Sequence, residues 1–120
     1  MKRLLIVEDA ELNRDLLTQI LEGRFELIIA SDGATGLQMA ERERPDLVLL
    51  DLSLPVVDGW EVARRLRASP STKGLRVIAL TAHAMRGDDR RALEAGCDAY
   101  LTKPLDEDLL LATIRELIGE

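Results

Sequence analysis

Short apolar runs alternate with amphipathic stretches along the whole chain. Five apolar runs predict β-strands, and they cover residues 4–7, 25–30, 47–50, 77–80 and 99–101. The runs are continuous instead of alternating between apolar and polar residues, which is typical of strands covered on both faces. The pattern therefore predicts a parallel sheet enclosed between two layers of helices.

The stretches between the strands have the apolar spacing of helices. A second helix is predicted before Pro45, a third around Leu66, a fourth over residues 85–94 and a fifth over residues 106–118. A strand followed by a helix, repeated five times, predicts one open α/β domain over residues 1–120. The first helix, in which we expect Leu12 and Leu16 to be core residues, is marked by Leu12, Leu16, Leu17, Ile20 and Leu21.

Composition narrows the classes of protein to which this domain can belong. A formal charge of -6 opposes binding to nucleic acid, and three aromatic residues, Phe25, Trp60 and Tyr100, are too few for a base-stacking surface. We expect neither a signal peptide nor a membrane insertion, and so a cytoplasmic protein. The single cysteine, Cys97, excludes an internal disulfide and is expected to fill space in the core.

Polar side chains follow four of the predicted strands. Glu8 and Asp9 follow the first strand, Asp51 the third, Thr81 the fourth and Lys103 the fifth. Ligands of doubly wound sheets bind outside the carboxyl ends of the strands, so we expect these side chains to converge on one site.

The carboxylates at these strand ends predict a metal site. Three carboxylates close together repel one another unless a cation joins them, and an oxygen-rich cluster suits a hard ion such as Mg²⁺. Mg²⁺ meets phosphate oxygens through its open positions, which points to phosphoryl transfer with Asp51 as nucleophile and with Lys103 and Thr81 paired to phosphoryl oxygens. Taken singly, each residue is also explained as a helix cap or a solvated loop residue, and only the combination favours a site.

The sequence resembles the response regulator receiver domains of two-component signalling across essentially its whole length. The motifs that carry the resemblance are VED at 7–9, LLDLSLPVVDGWE at 49–61, ALTAHA at 79–84 and YLTKP at 100–104. The resemblance implies a flavodoxin-like α/β fold, with five parallel strands in the order 2-1-3-4-5 and five helices. It also implies phosphorylation of Asp51 from a histidine kinase or a histidine phosphotransfer protein, in a step that requires Mg²⁺.

Further roles are implied by the resemblance alone. It assigns the backbone carbonyl of Ser53 to the metal beside the three carboxylates, and it gives the bond between Lys103 and Pro104 a cis geometry. It makes Thr81 and Tyr100 the residues that respond to phosphorylation. The surface of the fourth helix, fifth strand and fifth helix would then signal to an unidentified downstream protein, and phosphorylation-linked homodimerisation through this surface is a family expectation.

Several neighbouring residues have a structural explanation beside a functional one. A lone His83 has no matched partners for metal binding or base catalysis, so surface exposure beside the pocket explains it better than either role. We hypothesise that Ser53 and His83 have a modest effect on dephosphorylation. Asn13 lies one helical turn after Asp9 and either faces the same pocket or serves the start of the helix. Asp58 is expected to be the N-cap of the third helix and to lie outside the metal set. On the first helix, the residues expected to face a kinase helix are Arg14, Asp15 and Thr18.

Other functions compete with the phosphorylated switch. A Mg²⁺-dependent phosphatase or phosphotransferase could use Asp51, but phosphatases of the haloacid-dehalogenase type place a second aspartate where this chain has Ser53, and the short connections leave little material for a substrate cap. The complete set of site residues disfavours an unphosphorylated scaffold, and nucleotide or flavin binding lacks a Walker A or G-x-G-x-x-G sequence. We therefore expect no enzyme beyond catalysis of the domain's own phosphorylation and dephosphorylation.

Overall fold

Strands and helices alternate in the structure as the apolar pattern predicts. A computed structural model describes residues 1–54, 57–82 and 85–119. Its strands are β1 (Arg3–Val7), β2 (Glu26–Ala30), β3 (Leu47–Asp51), β4 (Arg76–Thr81) and β5 (Ala99–Thr102). Its helices are α1 (Glu11–Leu21), α2 (Gly33–Glu43), α3 (Gly59–Ala68), α4 (Asp88–Glu94) and α5 (Glu107–Ile118).

The five strands form one parallel sheet in the order β2-β1-β3-β4-β5, which confirms the expected fold class. In the register of this sheet, Val7 lies beside Leu50, and Asp51 lies beside Leu80. The strands therefore end at similar heights, so that the residues following β1, β3 and β5 reach one edge of the sheet.

The two faces of the sheet are covered by different helices. On β1, Leu5 and Val7 pack in a cluster with residues of α2, α3 and α4, whereas Leu4 and Ile6 pack in a second cluster with residues of α1 and α5. Because successive side chains of a strand point to opposite faces, a strand buried throughout needs helices on both sides. This arrangement explains why the apolar runs are continuous. None of the helices within the described ranges has the length and apolar character needed to cross a bilayer.

The prediction that Leu12 and Leu16 belong to the core is wrong. Leu12 is 80% exposed and Leu16 is 44% exposed, whereas Leu17 and Leu21 are fully buried against the sheet. Neighbouring residues of a helix are rotated by about 100° from one another, so the stripe that contains Leu17 and Leu21 turns the other two leucines outward. Helix α1 therefore has a second apolar stripe on its surface.

The fourth helix is shorter than predicted. It begins at Asp88 instead of residue 85, because its N-cap is Gly87, which has a left-handed backbone with φ of 87°. A left-handed residue does not continue a helix, and glycine adopts this conformation without steric cost. Asp58 is the N-cap of α3 as predicted, since its Oδ1 accepts a hydrogen bond from the backbone N–H of Glu61 at 2.9 Å.

Candidate functional site

Three carboxylates meet at the carboxyl edge of the sheet. Glu8 and Asp9 follow β1 directly, and Asp51 is the last residue of β3. One carboxylate oxygen from each of the three lies within 4.8 Å of the others. The adjacency of β1 and β3 in the sheet is what brings together residues that are more than forty positions apart in the sequence.

The three carboxylates differ in their exposure to solvent. Glu8 is 1% exposed and Asp51 is 4% exposed, whereas Asp9 is exposed. Buried carboxylates require compensation by cations or hydrogen-bond donors, because they have lost most of their hydration. The cluster is thus open to a ligand on the side of Asp9 and enclosed on the side of Glu8.

Lys103 supplies a positive charge to this cluster. Its Nζ donates a hydrogen bond to Glu8 Oε1 at 2.7 Å and lies 3.8 Å from Asp51 Oδ2. The lysine side chain is only 13% exposed, so the attraction is screened less than on an open surface. A single ammonium therefore bridges two of the three carboxylates.

Backbone contacts hold the strand ends around this ammonium. The N–H of Lys103 donates to the carbonyl of Thr81 at 2.8 Å, which ties the end of β5 to the end of β4. The peptide bond between Lys103 and Pro104 is cis, the geometry that the resemblance implies. Helix α3 also approaches the end of β3 closely, since a Cβ at Gly59 would overlap the carbonyl oxygen of Asp51. The glycine at position 59 thus lets the helix start directly against the end of β3.

The donor set fits a hard divalent cation. Three carboxylates offer more negative charge than one lysine neutralises, and oxygen ligands are those that Mg²⁺ takes in proteins. The exposed Ser53 lies beside the cluster and its N–H donates to Asp51 Oδ1 at 3.1 Å. This bond orients the carboxylate of Asp51 and leaves its other oxygen toward Lys103.

Thr81 and Tyr100 occupy the neighbouring strands. Thr81 ends β4 and is 4% exposed. Tyr100 packs against the cluster that includes α4, and its hydroxyl is shielded from solvent, with no hydrogen-bond partner among the residues that the structure describes. Burial raises the pKa of the Tyr100 phenol, and the carboxylates of Asp88 and Asp89 raise it further. The ring therefore packs beside α4, with its hydroxyl within electrostatic reach of the first turn of that helix.

A cleft opens beside the carboxylates along α1. It has a volume of about 130 Å³ and is lined in part by Glu8, Lys103, Asn13 and Leu16. Asn13 thus lines the same pocket as two of the site residues, which is one of the two positions expected from the sequence. His83 lies outside the described residues.

Reasoning from the sequence missed a direct contact between Arg14 and the residues of the site. The guanidinium of Arg14 donates to the backbone carbonyls of both Glu8 and Asp9. Arg14 follows Asp9 by five positions. A long side chain on the first turns of a helix can reach back to the loop before the helix, and this reach could have predicted the contact.

Comparison with known proteins defines the class of this fold and site. A sequence model of the response regulator receiver domain matches residues 4–115. The structure is similar to the receiver domain of the sensor histidine kinase PA1611 from Pseudomonas aeruginosa, a crystal structure with a magnesium ion coordinated in the active site cleft, with a TM-score of 0.91, 34% identity and coverage of 99% of this chain and 98% of that one. The chain belongs to the response regulator receiver domains, which are signalling domains of two-component systems.

Relatives of known name place the chain among response regulators. It is 39% identical over 120 residues to the polar-differentiation response regulator DivK of Brucella anthropi, covering 99% of this chain and 98% of DivK. It is 42% identical over 116 residues to the response regulator PleD of Caulobacter vibrioides, covering 96% of this chain but only 26% of PleD.

A third similarity involves a complex. The structure resembles a chain in the co-crystal structure of the Saccharomyces cerevisiae histidine phosphotransfer protein Ypd1 with the receiver domain of its downstream response regulator Ssk1, with a TM-score of 0.89, 30% identity and coverage of 98% of this chain and 89% of that one.

Proposed function

We propose that residues 1–120 act as one phosphoacceptor domain, in which Asp51 accepts a phosphoryl group from a phosphohistidine of a histidine kinase or histidine phosphotransfer protein. The observation that carries this proposal is the placement of Lys103 Nζ, at 2.7 Å from Glu8 and 3.8 Å from Asp51, inside a cluster of three carboxylates. A carboxylate flanked by an ammonium and further acidic ligands is suited to nucleophilic attack on phosphorus.

The transfer itself exchanges one bond for another. An oxygen of Asp51 attacks phosphorus, the bond from phosphorus to the histidine nitrogen breaks, and the electron pair of that bond remains on the donor's imidazole. Mg²⁺ bound by Glu8, Asp9, Asp51 and the carbonyl of Ser53 would offset the negative charge of the phosphoryl oxygens. Lys103 pairs with one of these oxygens, which requires its ammonium to shift from Glu8 toward Asp51.

Phosphorylation changes the surface around α4. The Thr81 hydroxyl donates to a phosphoryl oxygen, and Tyr100, whose ring packs against the cluster that includes Ala92 of α4, changes rotamer with the rearrangement of that helix. New charge-assisted contacts of a few kcal/mol are enough to make a minor conformation dominant (roughly 5.5 kcal/mol reverses a 1:99 ratio). A downstream protein then recognises the altered surface of α4, β5 and α5. Homodimerisation through the same surface is an expectation from the family.

The phosphohistidine donor docks on the exposed apolar stripe of α1. Leu12 and Leu16 line a groove of about 320 Å³, and Leu16 and Asn13 also line the cleft that contains Glu8 and Lys103. This continuity brings a helix seated on α1 to the mouth of the phosphorylation site. Around the stripe, the polar residues expected to meet the donor are Arg14, Asp15 and Thr18.

The domain catalyses only its own phosphorylation and dephosphorylation. Ser53 replaces the second aspartate with which phosphatases of the haloacid-dehalogenase type turn over a substrate. Ser53 and His83, which follow Asp51 and Thr81 by two positions in the sequence, instead affect the attack of water on the acyl phosphate, so their replacement by alanine changes the lifetime of the phosphoryl group. The domain acts in the bacterial cytoplasm, where its kinase or phosphotransfer partner presents the phosphohistidine.

Intact mass spectrometry after incubation with acetyl phosphate or phosphoramidate tests this proposal. The wild type is expected to gain one phosphoryl group in Mg²⁺ and none in a chelator, and Asp51→Asn is expected to gain none in either. Asp58→Asn is the matched control, because Asp58 is an exposed N-cap outside the cluster and asparagine also serves as an N-cap. A wild type that gains no phosphoryl group from either donor, or an Asp51→Asn that gains it at the wild-type rate, contradicts the proposal.

A further inference from the structure

The backbone that carries the first two carboxylates is held by one side chain of α1. The Nη1 of Arg14 donates a hydrogen bond to the carbonyl of Asp9 at 2.8 Å and a second to the carbonyl of Glu8 at 3.2 Å. Arg14 is itself fixed in the helix, since its N–H donates to the carbonyl of Ala10 at 3.0 Å. The guanidinium thus reaches back from the helix and pins two successive peptide groups.

Other contacts leave this connection incompletely fixed. Only residues 8–10 join β1 to α1, and the N-cap, Ala10, has no side-chain oxygen to bind the first turn of the helix. The N–H of Glu8 is bound by the carbonyl of Ala30, and the N–H of Ala10 donates to Glu8 Oε2 at 3.2 Å. Asp9 is exposed, so packing does not hold its carboxylate in place. Among the described contacts, the pair of hydrogen bonds from Arg14 reaches the peptide groups on both sides of this carboxylate.

We infer that Arg14 is a positioning residue for the divalent cation, and that it acts by holding the backbone of Glu8 and Asp9 so that their carboxylates converge with that of Asp51. This inference rests on the proposed function, because it assumes that the cluster binds Mg²⁺. In this inference Arg14 acts on residues 8–10, which join β1 to α1 in its own chain. This role is separate from any contact with a phosphohistidine donor.

The charge and the geometry of Arg14 have opposite effects on cation binding. A guanidinium bound to the backbone of two of the proposed ligand residues repels an incoming Mg²⁺, so removal of its charge alone would tighten binding. Its hydrogen bonds pre-orient the ligands, and removal of contacts behind metal ligands typically weakens metal binding by about tenfold or more. The direction of the change in affinity therefore separates a positioning role from an electrostatic one.

Calorimetric titration with Mg²⁺, without any phosphoryl donor, tests the inference. Arg14→Met keeps the length of the side chain and removes its donors, and it is expected to weaken Mg²⁺ binding by about tenfold. Arg14→Lys keeps the charge and a donor group, and it is expected to bind with intermediate affinity. Arg42→Met is the matched control, because it removes one positive charge from a side chain that is 71% exposed and paired with Glu43, and it is expected to bind like the wild type.

Each outcome has a distinct meaning. Unchanged or tighter Mg²⁺ binding by an Arg14→Met variant with a wild-type circular dichroism spectrum overturns the inference and leaves the proposed function standing. Equal weakening in Arg14→Met and Arg42→Met also overturns it, since the effect would then not depend on the contact between Arg14 and the loop. A wild type that binds no Mg²⁺ overturns the metal step of the proposed function and the inference with it. Circular dichroism and urea unfolding of every variant separate loss of the fold from loss of the site.

Discussion

At the scale of single residues, Glu8 depends on Lys103. Its carboxylate is 1% exposed and accepts from Lys103 Nζ at 2.7 Å. Removal of one partner from a buried ion pair leaves the other charge without compensation, which is far more costly than loss of a surface pair. The same lysine therefore supports the stability of the metal-free cluster, in addition to the role in phosphoryl transfer that we propose for it.

Replacement of Lys103 is expected to destabilise the metal-free protein. In a chelator, Lys103→Met should lower the free energy of unfolding by about 3 kcal/mol in urea titrations, because Glu8 loses its counter-charge. Saturating Mg²⁺ should restore part of this loss by supplying positive charge to the same carboxylate. Lys73→Met changes an exposed lysine and should stay within about 0.5 kcal/mol of the wild type. A Lys103→Met variant as stable as the wild type in chelator would contradict this role.

Cys97 makes stability depend on alkaline pH. Burial raises the pKa of its thiol from 9.0 to about 11, with a smaller opposing effect from Arg67. Below pH 9 the thiol is neutral in both the folded and the unfolded chain, so its contribution is complete. Between pH 9 and about 11 the unfolded chain ionises first, and the stability is lost as pH rises through this window.

Replacement of Cys97 by alanine is expected to remove this loss of unfolding free energy at alkaline pH. Across that window, the wild type should lose about 2 kcal/mol more free energy of unfolding than Cys97→Ala, as measured by urea titration at each pH. The comparison cancels the contributions of other groups to the pH dependence, because both proteins contain them. Parallel pH profiles for the two proteins would show that burial of Cys97 does not control this loss.

At the scale of elements, Arg67 fixes the connection between α4 and β5. Its guanidinium donates to the carbonyls of Lys73 and Leu75 in the loop before β4, and to the carbonyl of Gly96 at 2.6 Å. It also pairs with Asp98 at 2.7 Å. Helix α4, with Ala92 as its buried residue, is thereby anchored at its C-terminal end, while Arg91 lies 4.4 Å over the ring of Trp60.

Loss of this anchor is expected to cost more than loss of neighbouring ion pairs. Arg67→Ala should lower the free energy of unfolding by about 3 kcal/mol, because it leaves partly buried carbonyls without a charged donor and leaves Asp98 with only its longer ion pair to Arg76 at 3.5 Å. Arg65→Ala lies two positions away on the same helix and breaks only a half-exposed pair with Glu61, so it should cost about 0.5 kcal/mol. Urea unfolding of both variants provides the comparison, and equal losses would show that Arg67 is an ordinary surface residue.

The strands and helices show how far the apolar periodicity of the sequence predicts the structure. Continuous apolar runs located all five strands to within one residue at each end, because burial on both faces demands such runs. Helix α1 was found, but its buried face was not, since Leu12 and Leu16 are as apolar as Leu17 and Leu21 and composition cannot say which stripe meets the sheet. The start of α4 depended on the backbone conformation of Gly87, which a sequence pattern does not specify.

In the whole molecule, the order of the strands brings residues that are distant in the sequence together at one site. Glu8, Asp9, Asp51 and Lys103 could be predicted because the carboxyl ends of parallel strands lie on one edge of the sheet. The contacts of Arg14 and Arg67 with backbone carbonyls could not, because carbonyl positions follow from loop geometry and carry no residue-type signal. The side chains of the cluster are therefore easier to predict from the sequence than the residues that hold them in place.

Reduction of the phosphorylated protein with borohydride, followed by peptide mass spectrometry, determines whether Asp51 itself carries the phosphoryl group. Borohydride reduces an aspartyl phosphate to homoserine, so the account predicts homoserine at position 51 in protein treated with acetyl phosphate and Mg²⁺, and unmodified aspartate at 51 when either reagent is omitted. Homoserine at another aspartate, or a phosphorylated protein in which position 51 remains aspartate after reduction, would contradict the account.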